Sequence, residues 1–418
     1  MSFTITGTGS YLPGKVVTND DLTAFLDTSD EWISTRTGIR ARHVAAQETV
    51  TDMAVAAARA ALEDSGSTPE QVDLILCATL AGEYITPSLG CMVQKELGAH
   101  CPAYDLNAAC SGFLYALDAA AGYFARGRVK KVLVICAEAM TRLMDWTDRS
   151  TCVLFGDGAA AAVLEPGEDL LSIHLSAAGN NDALCIPHVN GNCPYSGYDR
   201  GPASLMMNGQ EVYKFAVSAM SKGVEKVAEE AGISLEDIAL VVPHQANMRI
   251  LEAARKKLGM PAEKIASNID QCGNTSAASL PILLDQLSRQ GRLKKGDLLA
   301  LTAFGGGLTT GACILRWAKE KSKKTAPRGN FSCEQKKGGI IMSTFESIVK
   351  VISDYREMDP EEITLSTTFE DLALDSLDMT EILMGLEDEF GITIEPDEKL
   401  ENVEQLVTFI DDQLEKNA

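Results

Sequence analysis

One pattern occurs twice in this chain. Gly66-Ser67-Thr68-Pro69-Glu70-Gln71-Val72-Asp73-Leu74-Ile75-Leu76 returns in kind as Gly232-Ile233-Ser234-Leu235-Glu236-Asp237-Ile238-Ala239-Leu240-Val241-Val242, 166 residues later. Gly127-Arg128-Val129-Lys130-Lys131 returns as Gly291-Arg292-Leu293-Lys294-Lys295, 164 residues later. Two landmarks at nearly one offset predict a duplicated domain over residues 1–318, with halves at about 1–170 and 171–318. Each half alternates helical stretches with short apolar runs (74–77, 132–136, 298–302). Runs without polar alternation are strands buried on both faces, which predicts an α/β fold of mixed or parallel sheets covered by helices.

The chain changes character after residue 318. Residues 319–342 are basic and rich in chain breakers (Lys323-Lys324-Thr325-Ala326-Pro327-Arg328-Gly329, then Lys336-Lys337-Gly338-Gly339), which reads as a flexible linker. Such a coil spans roughly 25–30 Å and holds a tethered domain at about millimolar effective concentration. From Met342 to Ala418 there are 22 acidic and 4 basic residues, a charge of 4 − 22 = −18. Residues 1–318 carry 26 basic and 35 acidic residues, so the acidity is local to the tail.

The whole chain, with a formal net charge of −22 at pH 7, is a poor partner for nucleic acid. No run reaches the roughly 18–20 apolar residues of a membrane span, and the N-terminus lacks the pattern of a signal peptide. A cytoplasmic protein without membrane contact is expected. The 11 cysteines are odd in number and form no C-x-x-C pair, which favours reduced thiols and no metal site.

Three residues carry the chemistry. Cys110 sits among small residues in Asn107-Ala108-Ala109-Cys110-Ser111-Gly112, where a polar loop turns into a helical pattern. A thiol there feels the positive end of a helix, which favours the thiolate; alone, such a cysteine also reads as packing. Adding 164 to 110 gives Asn274, inside Cys272-Gly273-Asn274-Thr275-Ser276, and a pseudo-twofold axis would bring the two turns together. His244 follows an apolar strand directly, the usual place for site residues in α/β folds. A helix cap and a strand-end cap are the plain readings of Asn274 and His244. Together the three make a thiol and two hydrogen-bond donors, suited to holding an acyl group and stabilising an enolate. Gly305-Gly306-Gly307 adds backbone N–H groups for an oxyanion, while His43, His100, His174 and His188 read as structural or surface.

Residues 1–318 resemble β-ketoacyl-acyl carrier protein synthase III, a thiolase-fold enzyme that initiates type II fatty acid synthesis. The resemblance rests on Glu31-Trp32-Ile33 through Arg36-Thr37-Gly38-Ile39, Ala109-Cys110-Ser111-Gly112, Phe155-Gly156-Asp157-Gly158-Ala159, Pro243-His244-Gln245-Ala246-Asn247 and Gly273-Asn274-Thr275-Ser276. It implies a thiolase-like α/β/α/β/α sandwich and a homodimer. It also implies that Cys110 takes a starter acyl group from acyl-CoA, that His244 and Asn274 assist decarboxylation of malonyl-acyl carrier protein, and that Cys110 and Gly306 form the oxyanion hole. Trp32 and Arg149 match positions that sandwich the adenine of coenzyme A, Arg36 a phosphate contact, and Asn247 a further coenzyme A contact. Thr86 stands where acetyl-selective members often carry Phe at the end of the acyl pocket, so a longer or branched starter is admissible.

The tail, residues 343–418, resembles acyl carrier protein, a small all-α four-helix domain. Asp375-Ser376-Leu377 matches its attachment motif, which implies 4′-phosphopantetheine on Ser376, loaded by a phosphopantetheinyl transferase. Without that resemblance the triplet also reads as a helix N-cap. Asp378, Glu381, Glu387 and Asp388 predict docking to a basic surface, and Arg249, Arg255, Lys256 and Lys257 after His244 offer one. The carrier used could be the chain's own tail or a free one, and Met342-Ser343-Thr344 would serve as the start of a separate carrier, as at a junction of two adjacent genes. Rival readings are a starter-unit ketosynthase or acyltransferase of a polyketide-like pathway, a carrier or scaffold with a non-catalytic large domain, and a D-alanyl or peptidyl carrier tail.

Overall fold

The computed structural model describes residues 2–187, 195, 203–319, 344–356, 358–372, 374, 376–390, 394 and 400–417. These fall into two compact units, a large one (Met1–Asn208 and Phe215–Pro327) and a small one (Gly209–Lys214 and Arg328–Ala418). His188, Asp375 and linker residues 320–342 lie outside the described residues.

Nine strands form the two main sheets of the large unit. The first holds β1 (Ser2–Tyr11), β2 (Leu74–Ala78), β3 (Ala103–Leu106), β4 (Val132–Ala139) and β5 (Asp157–Gly167) in the order β1-β5-β4-β2-β3. The second holds β6 (Leu170–Asn180), β7 (Leu240–Pro243), β8 (Leu298–Gly305) and β9 (Gly307–Arg316) in the order β7-β8-β9-β6. Strand β2 pairs in parallel with β3 and β4, and β7 in parallel with β8, while the remaining neighbours are antiparallel. Matching β1, β5, β4 and β2 to β6, β9, β8 and β7 makes the two orders identical. The starts of β2 and β7, and of β4 and β8, are 240 − 74 and 298 − 132, or 166, apart.

Six helices carry the layers and the site, all in the large unit save the first six residues of α4: α1 (Asp30–Thr37), α2 (Val50–Ser65), α3 (Gly112–Ala125), α4 (Gly209–Ala231), α5 (Met248–Lys257) and α6 (Ser279–Arg289). The layers follow from the two-residue period of the strands. Leu74 and Leu76 of β2 and Val132 and Val134 of β4 pack in one cluster with Phe113 and Leu117 of α3 and Leu280 and Leu284 of α6. Val242 and Leu301 of the second sheet close the same cluster from the other side. The alternate residues Ile75, Cys77, Leu133 and Ile135 face Ala54, Ala58 and Ala61 of α2. On the far side, Val241 and Ala300 face Val224 and Val227 of α4. The result is a five-layer α/β/α/β/α sandwich with α3 and α6 in the middle. Each fully buried Leu, Ile or Val contributes about 1.5–3 kcal/mol, so the central layer is where the fold is held.

Lys319, the first residue of the expected linker, belongs to this unit. Its ammonium pairs with Asp64 and lies 5.7 Å from the Trp317 ring.

The small unit contains α7 (Thr344–Arg356), a single 3-10 turn (Pro360–Glu362), α8 (Ser376–Phe390) and α9 (Val403–Asn417) among its described residues. Ile348 and Ile352, Ile382 and Leu386, and Leu406 and Ile410 close its core, each pair on one helix face at a spacing of four. Two expectations about its acidic face are corrected. Asp378 is only 1% exposed and accepts a 2.6 Å hydrogen bond from the Tyr355 hydroxyl, so it points inward. Glu387 accepts from the backbone N–H of Ile394 at 2.8 Å, which employs it within the domain.

Candidate active site

Cys110 lies in a 3-10 turn, Ala109–Ser111, that leads directly into α3. The equivalent turn in the other half is Ser276–Ala278, leading into α6. Both turns begin with a non-glycine residue in the left-handed region, Ala109 at φ 48° and Ser276 at φ 51°. Two such residues at matching positions are backbone strain held by the surrounding core. The offset is 276 − 109 = 167. This corrects the sequence alignment: the counterpart of Cys110 is Ala277, and that of Asn107 is Asn274. The turns still meet across the pseudo-twofold axis, with Cys110 Sγ donating to Ser276 Oγ at 3.4 Å.

Two glycines make the meeting possible. A Cβ on Gly112 would stand 2.9 Å from the Ala78 Cβ and 3.3 Å from the Ala277 Cβ, so only hydrogen fits between the helix starts. A Cβ on Gly305 would stand 2.5 Å from the backbone nitrogen of Cys110. The end of β8 therefore touches the cysteine loop backbone to backbone. Gly306 follows, bordering Ala109, with its hypothetical Cβ 3.7 Å from that of Ala109. Thr309 ties the corner down by donating to the Ala108 carbonyl at 2.9 Å.

His244 emerges at the end of β7, its backbone N–H bound to the Thr302 carbonyl at 2.8 Å. The ring is 1% exposed and meets Phe304 edge-on with centroids 5.4 Å apart. Its Nδ1 lies 2.6 Å from Ser279 Oγ, the first residue of α6. Burial lowers its pKa to about 3, so the ring is neutral at neutral pH. Asn274 is 6% exposed, and its Oδ1 accepts from the Ser276 N–H at 2.8 Å. That bond engages the acceptor and leaves the amide NH2 as the side chain's donor.

The thiol departs from expectation. Cys110 is half-buried, and burial, with the Glu138 carboxylate adding to it, pushes its pKa up to about 12, against the pull of Ser276 and its own backbone N–H. Desolvation outweighs the helix end, so the resting group is a thiol that needs a proton acceptor. Ser276 and Glu138 act on the thiol and Ser279 holds the His244 ring, and the sequence reading passed over all three. The serines belong to the turn already singled out around Asn274. The signal for Glu138 was an acid inside the apolar run of β4.

Trp32, Arg36 and Arg149 are brought together. Ser29 caps α1 by accepting from the Trp32 N–H at 3.0 Å, and the guanidinium groups of Arg36 and Arg149 each lie 5.0 Å from the Trp32 ring. Asp27 pairs with Arg149 at 3.4 Å. A planar base between Trp32 and Arg149 needs roughly 7 Å, two van der Waals contacts, so the arginine must swing outward to admit one. Asn247 is the N-cap of α5, accepting from the Arg249 N–H at 2.9 Å.

Two placements differ from expectation. Thr86 stands on an exposed loop with Tyr84 and Ile85, at 56% and 83% exposure, so the fold of one chain does not bury it in a pocket wall. Arg255 is turned inward: its side chain is 15% exposed, paired with Glu252 at 2.7 Å and bound to the Met260 carbonyl at 2.9 Å. Its position near the C-terminus of α5 suits the helix dipole. Lys256 and Lys257 are exposed and Arg249 is half-buried. His43 Nδ1 donates to the Pro13 carbonyl at 2.7 Å, His174 lies 3.8 Å from Glu230, and His100 is exposed.

The nine described cysteines are free thiols. Among the described residues no group of three His, Cys, Asp or Glu side chains could hold a metal ion, and no helix is long and apolar enough to cross a membrane.

Comparison with known proteins follows the same division of the chain. Residues 104–179 match the family described as 3-oxoacyl-(acyl-carrier-protein) synthase III, residues 228–317 its C-terminal family, and residues 346–410 the phosphopantetheine attachment site family. The chain is 45% identical over 324 residues to β-ketoacyl-(acyl-carrier-protein) synthase III of Clostridium acetobutylicum, covering 76% of this chain and 99% of the relative. It is 48% identical over 321 residues to the synthase III of Aquifex aeolicus, covering 76% and 100%. The crystal structure of the Aquifex enzyme superposes with a TM-score of 0.70 at 47% identity, over 76% of this chain and 100% of that one. The priming β-ketosynthase of a polyketide biosynthetic pathway superposes with a TM-score of 0.72 at 35% identity, over 77% and 97%. With its duplicated sandwich and the turns that meet at Cys110, the chain belongs to the β-ketoacyl-(acyl-carrier-protein) synthase III family and continues into a phosphopantetheine-attachment domain.

Proposed function

We propose that the large unit condenses an acyl-CoA starter, acetyl or longer, with malonyl-acyl carrier protein to give 3-oxoacyl-acyl carrier protein, the opening step of type II fatty acid synthesis. The observation that carries this reading is the meeting of the two strained turns, which sets a thiol against neutral, buried donors. Cys110 attacks the thioester carbonyl of acyl-CoA, and the N–H groups of Cys110 and Gly306 bind the oxyanion. Coenzyme A leaves, and the acyl group stays on sulfur. The carbonyl of the malonyl thioester then lies between the His244 ring N–H and the Asn274 amide. These donors stabilise the enolate as carbon dioxide departs, and the enolate carbon attacks the acyl-cysteine. A neutral His244 donates throughout without first having to lose a charge. No metal enters this reading.

Trp32 and Arg149 hold the adenine of coenzyme A, with Arg36 and Asn247 as further contacts. Lys256, Lys257 and Arg249 meet an acidic carrier. In the tail, Ser376 is the first residue of a 15-residue helix, and the positive end of a helix favours an anionic phosphodiester. That fit supports 4′-phosphopantetheine at Ser376, installed by a phosphopantetheinyl transferase. When attached it supplies a thiol on a long arm. Residues 343–418 then form the carrier and 319–342 the tether, serving this ketosynthase or a free partner. Exposed Tyr84 and Ile85 support a homodimer in which the Thr86 loop is covered by a second copy. The free thiols accord with a cytoplasmic address.

A second reading, a starter-unit synthase of a secondary pathway, draws on Thr86 and on the similarity to a priming ketosynthase. One experiment tests both. A Ser376→Ala chain, which cannot carry the arm, is incubated with acyl-CoA thioesters from acetyl to long-chain and aromatic, and its intact mass is read. An adduct on Cys110 is expected. Preference for short chains favours fatty acid synthesis, and preference for aromatic or long chains favours the second reading. No adduct with any donor overturns both and leaves a carrier or scaffold.

A further inference from the structure

Gln245, the residue after His244, is 0% exposed. A buried amide costs stability unless its hydrogen bonds are made, and here all four are. Nε2 donates to the Pro243 carbonyl at 2.8 Å and to the Ala266 carbonyl at 3.4 Å, while Oε1 accepts from the Ser267 hydroxyl at 2.8 Å and the Asn268 N–H at 3.1 Å. A carbonyl only accepts and a backbone N–H only donates, so the amide faces one way.

These partners lie where regular pairing stops. Residues 265 and 266 run beside β7, with Ile265 bridged to Val241 and the Ala266 N–H bound to the Val241 carbonyl at 3.0 Å. Strand β7 ends at Pro243. Beyond it the Gln245 side chain takes over from the backbone ladder and joins the strand end to residues 266–268.

Asn268 opens the segment that carries Asn274. Its carbonyl accepts from the Gln271 and Cys272 N–H groups, both at 3.1 Å, which starts the single helical turn Ile269–Cys272, and Asn274 follows after Gly273. The segment closes at Ser279, whose hydroxyl oxygen accepts from the Gln245 N–H at 3.2 Å. Gln245 therefore grips segment 268–279 at both ends, by its side chain at the start and by its backbone at the finish. The Asn268 amide donates to Gln286 Oε1 at 2.8 Å, which ties the start of the segment to α6, the helix that leaves its end. In the middle, the Asn274 backbone is bound to the other half of the fold, its N–H donating to the Leu154 carbonyl at 2.9 Å and its carbonyl accepting from the Gly156 N–H at 3.0 Å. Asn274 thus stands on a backbone held at three places, two of them through Gln245.

We infer that Gln245 is a positioning residue that sets the separation and aim of the His244 and Asn274 donors at the malonyl thioester carbonyl. The inference rests on the reading of those two as the groups that stabilise the enolate. Fully buried, Gln245 acts through its neighbours rather than on a ligand. The Cys110 loop is fixed by Gly112, Gly305 and Thr309 instead, so the two half-reactions separate this role from general support of the fold.

The test uses the full chain with Gln245→Met, which keeps the length of the side chain and loses its four bonds, and with Gln245→Glu, which keeps an acceptor oxygen. Acylation of Cys110 by acetyl-CoA is read by intact mass, and decarboxylation by carbon dioxide released from malonyl-loaded acyl carrier protein. Misplaced donors cost transition-state stabilisation rather than substrate binding. Gln245→Met is expected to lower kcat for decarboxylation about tenfold to a hundredfold, with KM for the malonyl carrier and the rate of Cys110 acylation each within about threefold of native. Gln245→Glu should recover part of the loss.

Equal losses in acylation and decarboxylation, or an unchanged decarboxylation rate, overturn the inference. Should Gln245→Met not fold, Gln245→Glu alone decides by the same comparison. The underlying reading fails by a different result: if His244→Ala and Asn274→Ala release carbon dioxide at the native rate, those donors do not act on the malonyl group.

Discussion

The imidazole of His244 and the hydroxyl of Ser279 lie 2.6 Å apart, in a pocket where the ring is 1% exposed. Ser279 Oγ also accepts from the Gln245 N–H at 3.2 Å. A hydroxyl proton directed at Nδ1 leaves the ring proton on Nε2. That is the tautomer that can donate to an enolate.

Ser279→Ala removes this orientation and leaves His244 neutral. A hydrogen bond of this kind is worth about 0.5–1.5 kcal/mol, so condensation should fall roughly threefold to tenfold. Acylation of Cys110 should fall less. Comparing malonyl decarboxylation with the first-order rate of Cys110 acylation checks this, and equal losses in both would argue against the assignment.

Glu138 also governs stability. Its folded pKa, raised from 4.5 to about 8, means that its contribution is fully present below pH 4.5 and is lost as pH rises through 8. His244 works the other way, with a folded pKa lowered from 6.5 to about 3, so its contribution is present above 6.5 and lost on acidification through 3. The two oppose each other between 4.5 and 6.5, and Glu138 acts alone from 6.5 to 8. Stability should therefore fall over that upper window, by an amount on the order of a few kcal/mol at most, and melting temperature measured against pH reads it. In Glu138→Gln that part of the slope should vanish.

Arg149→Ala should weaken use of acyl-CoA without disarming the thiol. Loss of a cation–π contact costs about 0.5–2 kcal/mol, which predicts a KM for acyl-CoA raised roughly threefold to thirtyfold. Alkylation of Cys110 by a small reagent should keep its rate. If both fall together, Arg149 supports the fold rather than the ligand.

Gly305→Ala places a carbon 2.5 Å from the Cys110 nitrogen, where something must shift. The loss expected is about 1–3 kcal/mol of stability and, with the nucleophile displaced, about a hundredfold in acylation rate. Thermal unfolding and adduct formation on the same sample read both. A variant with native acylation would mean that the β8 corner does not set the position of Cys110.

Much of the architecture was legible because it depends on local periodicity. The doubled landmarks near residues 66 and 232 lead to β2 and β7, and the apolar runs after residues 127 and 291 became β4 and β8. Cys110, His244 and Asn274 were visible because small residues and a strand end mark where a backbone can come close to a ligand. The halves share an offset of 166 in their strands but 167 in their site turns, a one-residue difference that only the folded backbone reveals.

Composition misled where side-chain direction mattered. Asp378 and Arg255 read as parts of charged docking faces, yet Tyr355 draws one inward and Glu252 holds the other. A helix start promised an acidified thiol, and burial reversed the sign at Cys110. The sequence by itself determined the duplicated α/β architecture and the acidic tail, since these rest on patterns within short stretches of chain. Only the tertiary structure decided that the Ser276 hydroxyl meets Cys110 and that the Ser279 hydroxyl meets the His244 ring. Those meetings join the cysteine turn, the serine turn and a strand end, which are brought to the site from separate parts of the chain by the packing of two sheets around one central pair of helices.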